Sequence, residues 1–120
     1  MSDPFTERLA LIRTRFASNL NRTIDSVDNS LPQLVGESEA VKAALATAHR
    51  SVHGLCGIGP TIGFVATGNA ARIVERFLLQ PLRAKRGLTE DEVMVIRKGL
   101  AELRNVAQAE MQTNMPGGQR

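Results

Sequence analysis

Apolar side chains recur along this chain in steps of three and four, the spacing that lays them on one face of an α-helix. Phe5, Leu9, Ile12, Phe16, Leu20, Ile24 and Val27 form the first series. Asp3 caps it, and Pro4 suits the first helical position, where its missing N–H costs nothing. Asn29, Ser30 and Pro32 close the segment. A second series, Val41, Leu45, Ala48, Val52 and Leu55, starts after Gly36 or Ser38 as its cap. It is expected to break at Gly57-Ile58-Gly59-Pro60, two glycines and a proline within a single turn.

A third helix is expected from about Thr61 to about Gln80, with Ala70, Ala71, Val74, Phe77 and Leu78 inward. Gly68 weakens it and Pro81 ends or kinks it. The fourth opens on Thr89-Glu90-Asp91-Glu92, a capping box whose acids suit the positive end of a helix. Its stripe is Val93, Ile96, Leu100, Leu103 and Ala107. No stretch alternates as a strand does, and nothing repeats. Four amphipathic helices with short connections predict an all-α fold, an antiparallel four-helix bundle over residues 1–112. Residues 113–120 are expected to form a disordered tail.

Composition narrows the function classes. The chain has 120 residues, enough for one modest core, and it lacks Trp and Tyr, so aliphatic residues and four Phe must fill that core. No run of 18 apolar residues suggests a membrane span. The opening residues lack a signal-peptide pattern, and Cys56, the lone cysteine, has no partner for an internal disulfide. A cytoplasmic protein is expected. A formal charge of +3 fits an acidic partner but is too small and dispersed to argue for nucleic acid.

The candidate chemistry lies in residues 49–64, which hold both histidines, Cys56 and four of the ten glycines. Each helical residue turns about 100° from the last. With Val52 as reference, Val41, Leu45, Ala48 and Leu55 fall within about 60° of it and define the buried face. His53 falls well off that face, beside Arg50 and Gly57, whereas His49 sits nearer the core boundary beside Cys56. Gly57 costs a helix about 1 kcal/mol relative to Ala, which makes sense where a bulky partner must reach the imidazole. An exposed imidazole with a glycine beneath it and a cation above it suits phosphoryl transfer, where catalysis is mainly positioning and charge stabilisation.

These residues also carry a resemblance. His53, Leu55 at +2, Gly57 at +4 and Gly63 at +10 resemble the signature of histidine-containing phosphotransfer domains, and Glu75 falls at +22, a position often acidic in that family. The likeness covers the second and third helices; the first and fourth agree in length and periodicity. The chain departs from the family at +3 and +5, where Cys56 and Ile58 replace the usual lysine and small polar residue, and at Thr67, where an apolar residue is typical. Arg50 could supply the missing charge.

The resemblance implies a phosphocarrier. Neutral His53 would accept a phosphoryl group from an aspartyl phosphate on a response-regulator receiver domain and pass it to another, supported by Arg50, Cys56 and Gly57. A hybrid histidine kinase is a further implied partner. Mg²⁺ would come from the receiver, so the chain needs no cofactor or metal of its own, and no nucleotide-binding loop is present. A free-standing monomer is expected, binding neither nucleic acid nor membrane. The phosphorylatable domain of a chemotaxis-type kinase shares the signature. Two readings from other classes stay open: a helical metal site using His49, His53 and Cys56 at i, i+4 and i+7, and a plain interaction module.

Overall fold

The structure, a computed structural model, describes residues 3–114. It consists of α1 (Pro4–Ser30), a short 3₁₀ helix (Leu31–Leu34), α2 (Glu39–Thr61), α3 (Val65–Arg83) and α4 (Glu90–Asn114). In the packing, α1 adjoins α2 and α4, and α3 adjoins α2 and α4, while the backbones of the two diagonal pairs stay apart. Paired residues give the directions. Arg13 lies against Ile62 and Phe16 against Gly59, Gly68 meets Pro60 while Glu75 meets His53, Glu110 reaches Thr67 while Gly99 faces Val74, and Arg97 and Arg104 reach Asp28 and Asp25. Each neighbouring pair therefore runs antiparallel.

Local signals account for several helix starts. The Asp3 carboxylate accepts the Thr6 N–H at 2.7 Å, and the Ser38 hydroxyl accepts that of Val41 at 3.2 Å. Thr89 and Glu92 close both halves of the capping box, at 2.9 and 3.1 Å. Arg86 adds a two-pronged contact to the Glu92 carboxylate. That pairing, with the Thr89 N–H, overcomes partial burial and lowers the Glu92 pKa to about 2. Four stripes meet in one core, including Leu20, Ile24, Leu45, Val52, Leu78, Ile96 and Leu103.

Several sequence expectations are corrected. The run 57–60 does not end α2, which continues to Thr61. A proline in the last turn loses one hydrogen bond only, and the true stop is Gly63, whose φ of +98° suits a residue without a side chain. Around it Phe64 N–H bonds Gly59 C=O at 2.8 Å and Gly63 N–H bonds Pro60 C=O at 3.3 Å, a Schellman closure.

Accordingly α3 starts at Val65, later than Thr61, and its first amides are capped from a distance. Glu110 of α4 accepts the N–H groups of Ala66 and Thr67 and the Thr67 hydroxyl, at 3.0, 2.8 and 2.7 Å, which is why Thr67 can be buried. Pro81 is likewise inside α3 and buried, and the helix runs on to Arg83. Phe77 is 39% exposed, since the inward stripe is Thr67, Gly68, Ala71, Val74, Leu78 and Pro81.

At the chain ends, α1 buries its stripe only from Phe16 onward, and Phe5 and Ile12 stay exposed. Arg13 is already level with the α2–α3 turn, so the preceding turns pass beyond it. The molecule is 56 Å long, whereas 27 helical residues span about 40 Å. The bundle is therefore staggered. Thr113 and Asn114 remain helical, and the rest of the expected tail lies outside the described residues. Among the described residues, no helix is long and apolar enough to cross a membrane.

Candidate functional site

His53 lies on the outer flank of α2, its side chain 68% exposed, as its place on the helix predicted. The α2–α3 hairpin brings Glu75 opposite it. Glu75 Oε2 lies 2.5 Å from His53 Nδ1. An ionised carboxylate can only accept a hydrogen bond, so Nδ1 carries the proton and Nε2 of the neutral ring keeps its lone pair. Glu75 is 15% exposed. Burial alone would push its carboxyl pKa up, but the His53 hydrogen bond, the Cys56 thiol and the electrostatic influence of His53 and His49 outweigh it and hold that pKa below the ordinary value.

Cys56 points inward. Its thiol is 3.5 Å from Glu75 Oε1 and 3.5 Å from the Val52 carbonyl. Burial, then the charge and hydrogen bond of Glu75, push its pKa up to about 11 despite the opposing charge of Arg72. The thiol therefore stays protonated near neutral pH, a form that neither binds metal nor attacks. It serves Glu75 as a weak donor. Among the described residues, no group of three or more His, Cys, Asp and Glu could hold a metal ion, which removes support for the His49–His53–Cys56 metal site.

Gly57 faces open space: a Cβ there would meet nothing within 4 Å, and the same holds at Gly54. Both glycines leave the approach to His53 clear. Gly68 differs, since a Cβ there would lie 2.6 Å from Pro60 Cγ. It allows α2 and α3 to cross closely and is a packing requirement, where the sequence suggested only a weak spot. Arg50 is exposed and makes no hydrogen bond or ion pair among the described residues. The structure thus joins His53 and Cys56 through Glu75, and it leaves Arg50 on the rim without a contact to the imidazole.

The sequence had marked Glu75 only by its spacing and had given His49 a part only in the alternative metal site. His49 is 17% exposed, its ring stacked on that of His53 with centroids 5.9 Å apart. Its spacing of one turn from His53 was the available signal.

Comparison with known protein families, with curated proteins and with solved structures finds no significant match to this chain.

Proposed function

We propose that this chain is a histidine phosphocarrier, taking a phosphoryl group on His53 from an aspartyl phosphate of a receiver domain and passing it to another. The observation that carries the reading is the largely shielded Glu75 carboxylate bonded at 2.5 Å to Nδ1 of an otherwise exposed imidazole. Such a carboxylate fixes the tautomer that leaves Nε2 as the nucleophile.

In the forward step Nε2 forms a bond to phosphorus while the bond to the acyl oxygen of the aspartyl phosphate breaks, and the aspartate departs as a carboxylate. The ring becomes cationic as it is phosphorylated, and Glu75, already on Nδ1–H, stabilises that charge in place. No proton has to leave the chain. The Mg²⁺ that assists the step belongs to the receiver, and a cytoplasmic setting follows from this reading. Open space at Gly54 and Gly57 admits the partner.

The test is labelling. The purified chain, mixed with a receiver loaded from radiolabelled acetyl phosphate, should take up an acid-labile, alkali-stable label characteristic of phosphohistidine. His53→Gln should lose it entirely, and His49→Gln should keep it. Label that persists in His53→Gln overturns the reading, as does failure with every receiver of the source organism.

A further inference from the structure

The carboxylate that holds His53 also faces a second imidazole. His49 stands one turn earlier on α2, and its ring plane lies 19° from that of His53. Its Nε2 is buried without a hydrogen-bond partner, yet lies 3.3 Å from Glu75 Oε2, the oxygen that His53 already uses. The nitrogen is within reach of that oxygen while its direction fails a hydrogen bond, so the contact is left unclosed. A buried ring nitrogen left unpartnered is costly, and an aliphatic residue would fill this boundary position without that cost. Packing alone does not account for a histidine here.

The geometry points to His49 as a positioning residue for the acceptor imidazole: it backs the His53 ring and keeps Glu75 Oε2 aimed at Nδ1, standing ready as that oxygen's donor whenever His53 turns toward a partner. This rests on the phosphocarrier reading of His53. Glu75 has few other restraints. Among the described residues, Oε1 has only the Cys56 thiol at 3.5 Å, a weak donor, and neither Arg72 nor Arg76 on the same helix makes an ion pair with the carboxylate. The His53 side chain is 68% exposed and open to a partner, whereas that of His49, at the core boundary, is 17% exposed. An oxygen held only by the exposed ring would follow it when a partner draws that ring away; held also by His49, it stays where Nδ1–H must return. His49 thereby maintains the tautomer with a free Nε2 without touching the phosphoryl group.

Three proteins test this. His49→Phe keeps an aromatic ring against His53 and deletes the nitrogen. His49→Gln deletes the ring and keeps an amide able to reach Glu75. Ring ¹⁵N shifts of His53 in alkaline buffer should report a single tautomer, protonated on Nδ1, in wild type, a mixture in the Phe variant and recovery in the Gln variant. Labelling by a phosphorylated receiver should slow about tenfold in the Phe variant, the size typical of an outer partner that orients a reactive imidazole, at unchanged KM. The Gln variant should regain most of that rate. A Phe variant with wild-type tautomer and rate overturns the proposal, as does a Gln variant no better than Phe. If the Phe variant does not fold, His49→Leu takes its place under the same criteria. The tautomer measurement needs no phosphodonor, so a chain that never takes label sinks the phosphocarrier reading while the positioning role remains separately measurable.

Discussion

Along the seam between α1 and α4, arginines meet acids. Arg97 Nε is 3.1 Å from Asp28, and Arg104 reaches both Asp25 and Asn21. On α2 and α3 the pattern reverses. Arg50, Arg72, Arg76 and Arg83 are exposed and make no hydrogen bond or ion pair among the described residues. The one acid of α3, Glu75, is turned toward two imidazoles and a thiol. Paired surface charges lend a seam little energy and cancel each other's field. Unpaired ones leave a field in place, which attracts an acidic partner and speeds its arrival. Along the α1–α4 seam these charges are paired off, whereas the arginines of α2 and α3 stay unpaired on the side that carries His53.

Glu75 is where that difference is greatest. Glu75→Gln keeps shape and removes charge, and should slow labelling of His53 about tenfold to a hundredfold, as loss of an orienting partner does. Melting should show that the fold persists. Acid gives a second readout. Because the folded pKa of Glu75 is lowered, its ionised form contributes stability above the ordinary carboxylate range, and that contribution disappears as pH falls through the lowered value. Glu75→Gln should therefore flatten the acid limb of the stability curve. Labelling at the wild-type rate would place the special chemistry elsewhere than at this carboxylate.

The glycines sharpen the same contrast. Gly68→Ala puts a methyl 2.6 Å from the stiff Pro60 ring and should destabilise by about 1–3 kcal/mol, the usual cost of overpacking. Gly57→Ala adds its methyl to open space on a helix and should stabilise by up to about 1 kcal/mol. Labelling should nonetheless slow in Gly57→Ala, since the methyl stands beside the path to His53. Chemical denaturation and the labelling assay together separate these effects. Unchanged transfer in Gly57→Ala would make that glycine incidental.

Much of this frame was legible from residues alone. The caps at Asp3, Ser38 and Thr89–Glu92 are local devices, readable within four residues, and the core stripes of α2 and α4 follow directly from periodicity. His53 on the outer flank and Gly57 in open space also follow from the turn of the helix. What could not be read depends on contacts between distant segments. Helix α2 continues through Gly59 and Pro60 because Phe16 and Gly68 pack there, which outweighs weak propensity. The start of α3 depends on Glu110, more than forty residues away in sequence. The place of His49 depends on the hairpin register that sets Glu75 opposite both imidazoles.

The unpaired arginines come next in expected effect. Arg72→Ala combined with Arg76→Ala should weaken association with an acidic receiver about tenfold at low salt, mostly through the on-rate. The loss should vanish near 1 M salt, where the Debye length is about 3 Å. Adding Arg50→Ala should deepen the low-salt loss further if Arg50 shares the same field. The ¹⁵N tautomer signal of His53 should not change, since none of the three bonds to Glu75. A receiver indifferent to all three arginines across the salt range would mean that docking is apolar, through Ile58, Ile73 and Phe77.

The smallest effect belongs to the opposite seam. Asp28→Asn should lower stability by about 0.5 kcal/mol or less, because Arg97 and Asp28 are half exposed and water repays most of what their pairing gives. A double-mutant cycle with Arg97→Gln measures the pairing itself, with a coupling of about 0.2–1 kcal/mol expected. Neither change should alter labelling of His53, since α1 and α4 contribute no group to Glu75 or to the imidazoles. The result matters because removing Asp28 also frees an arginine on the far side of the bundle and raises the net positive charge by one. If receiver association then quickened as much as it slows on loss of Arg72, net charge would explain docking and the local field would not. Different responses at equal changes in net charge would assign the effect to where the charge stands, beside His53.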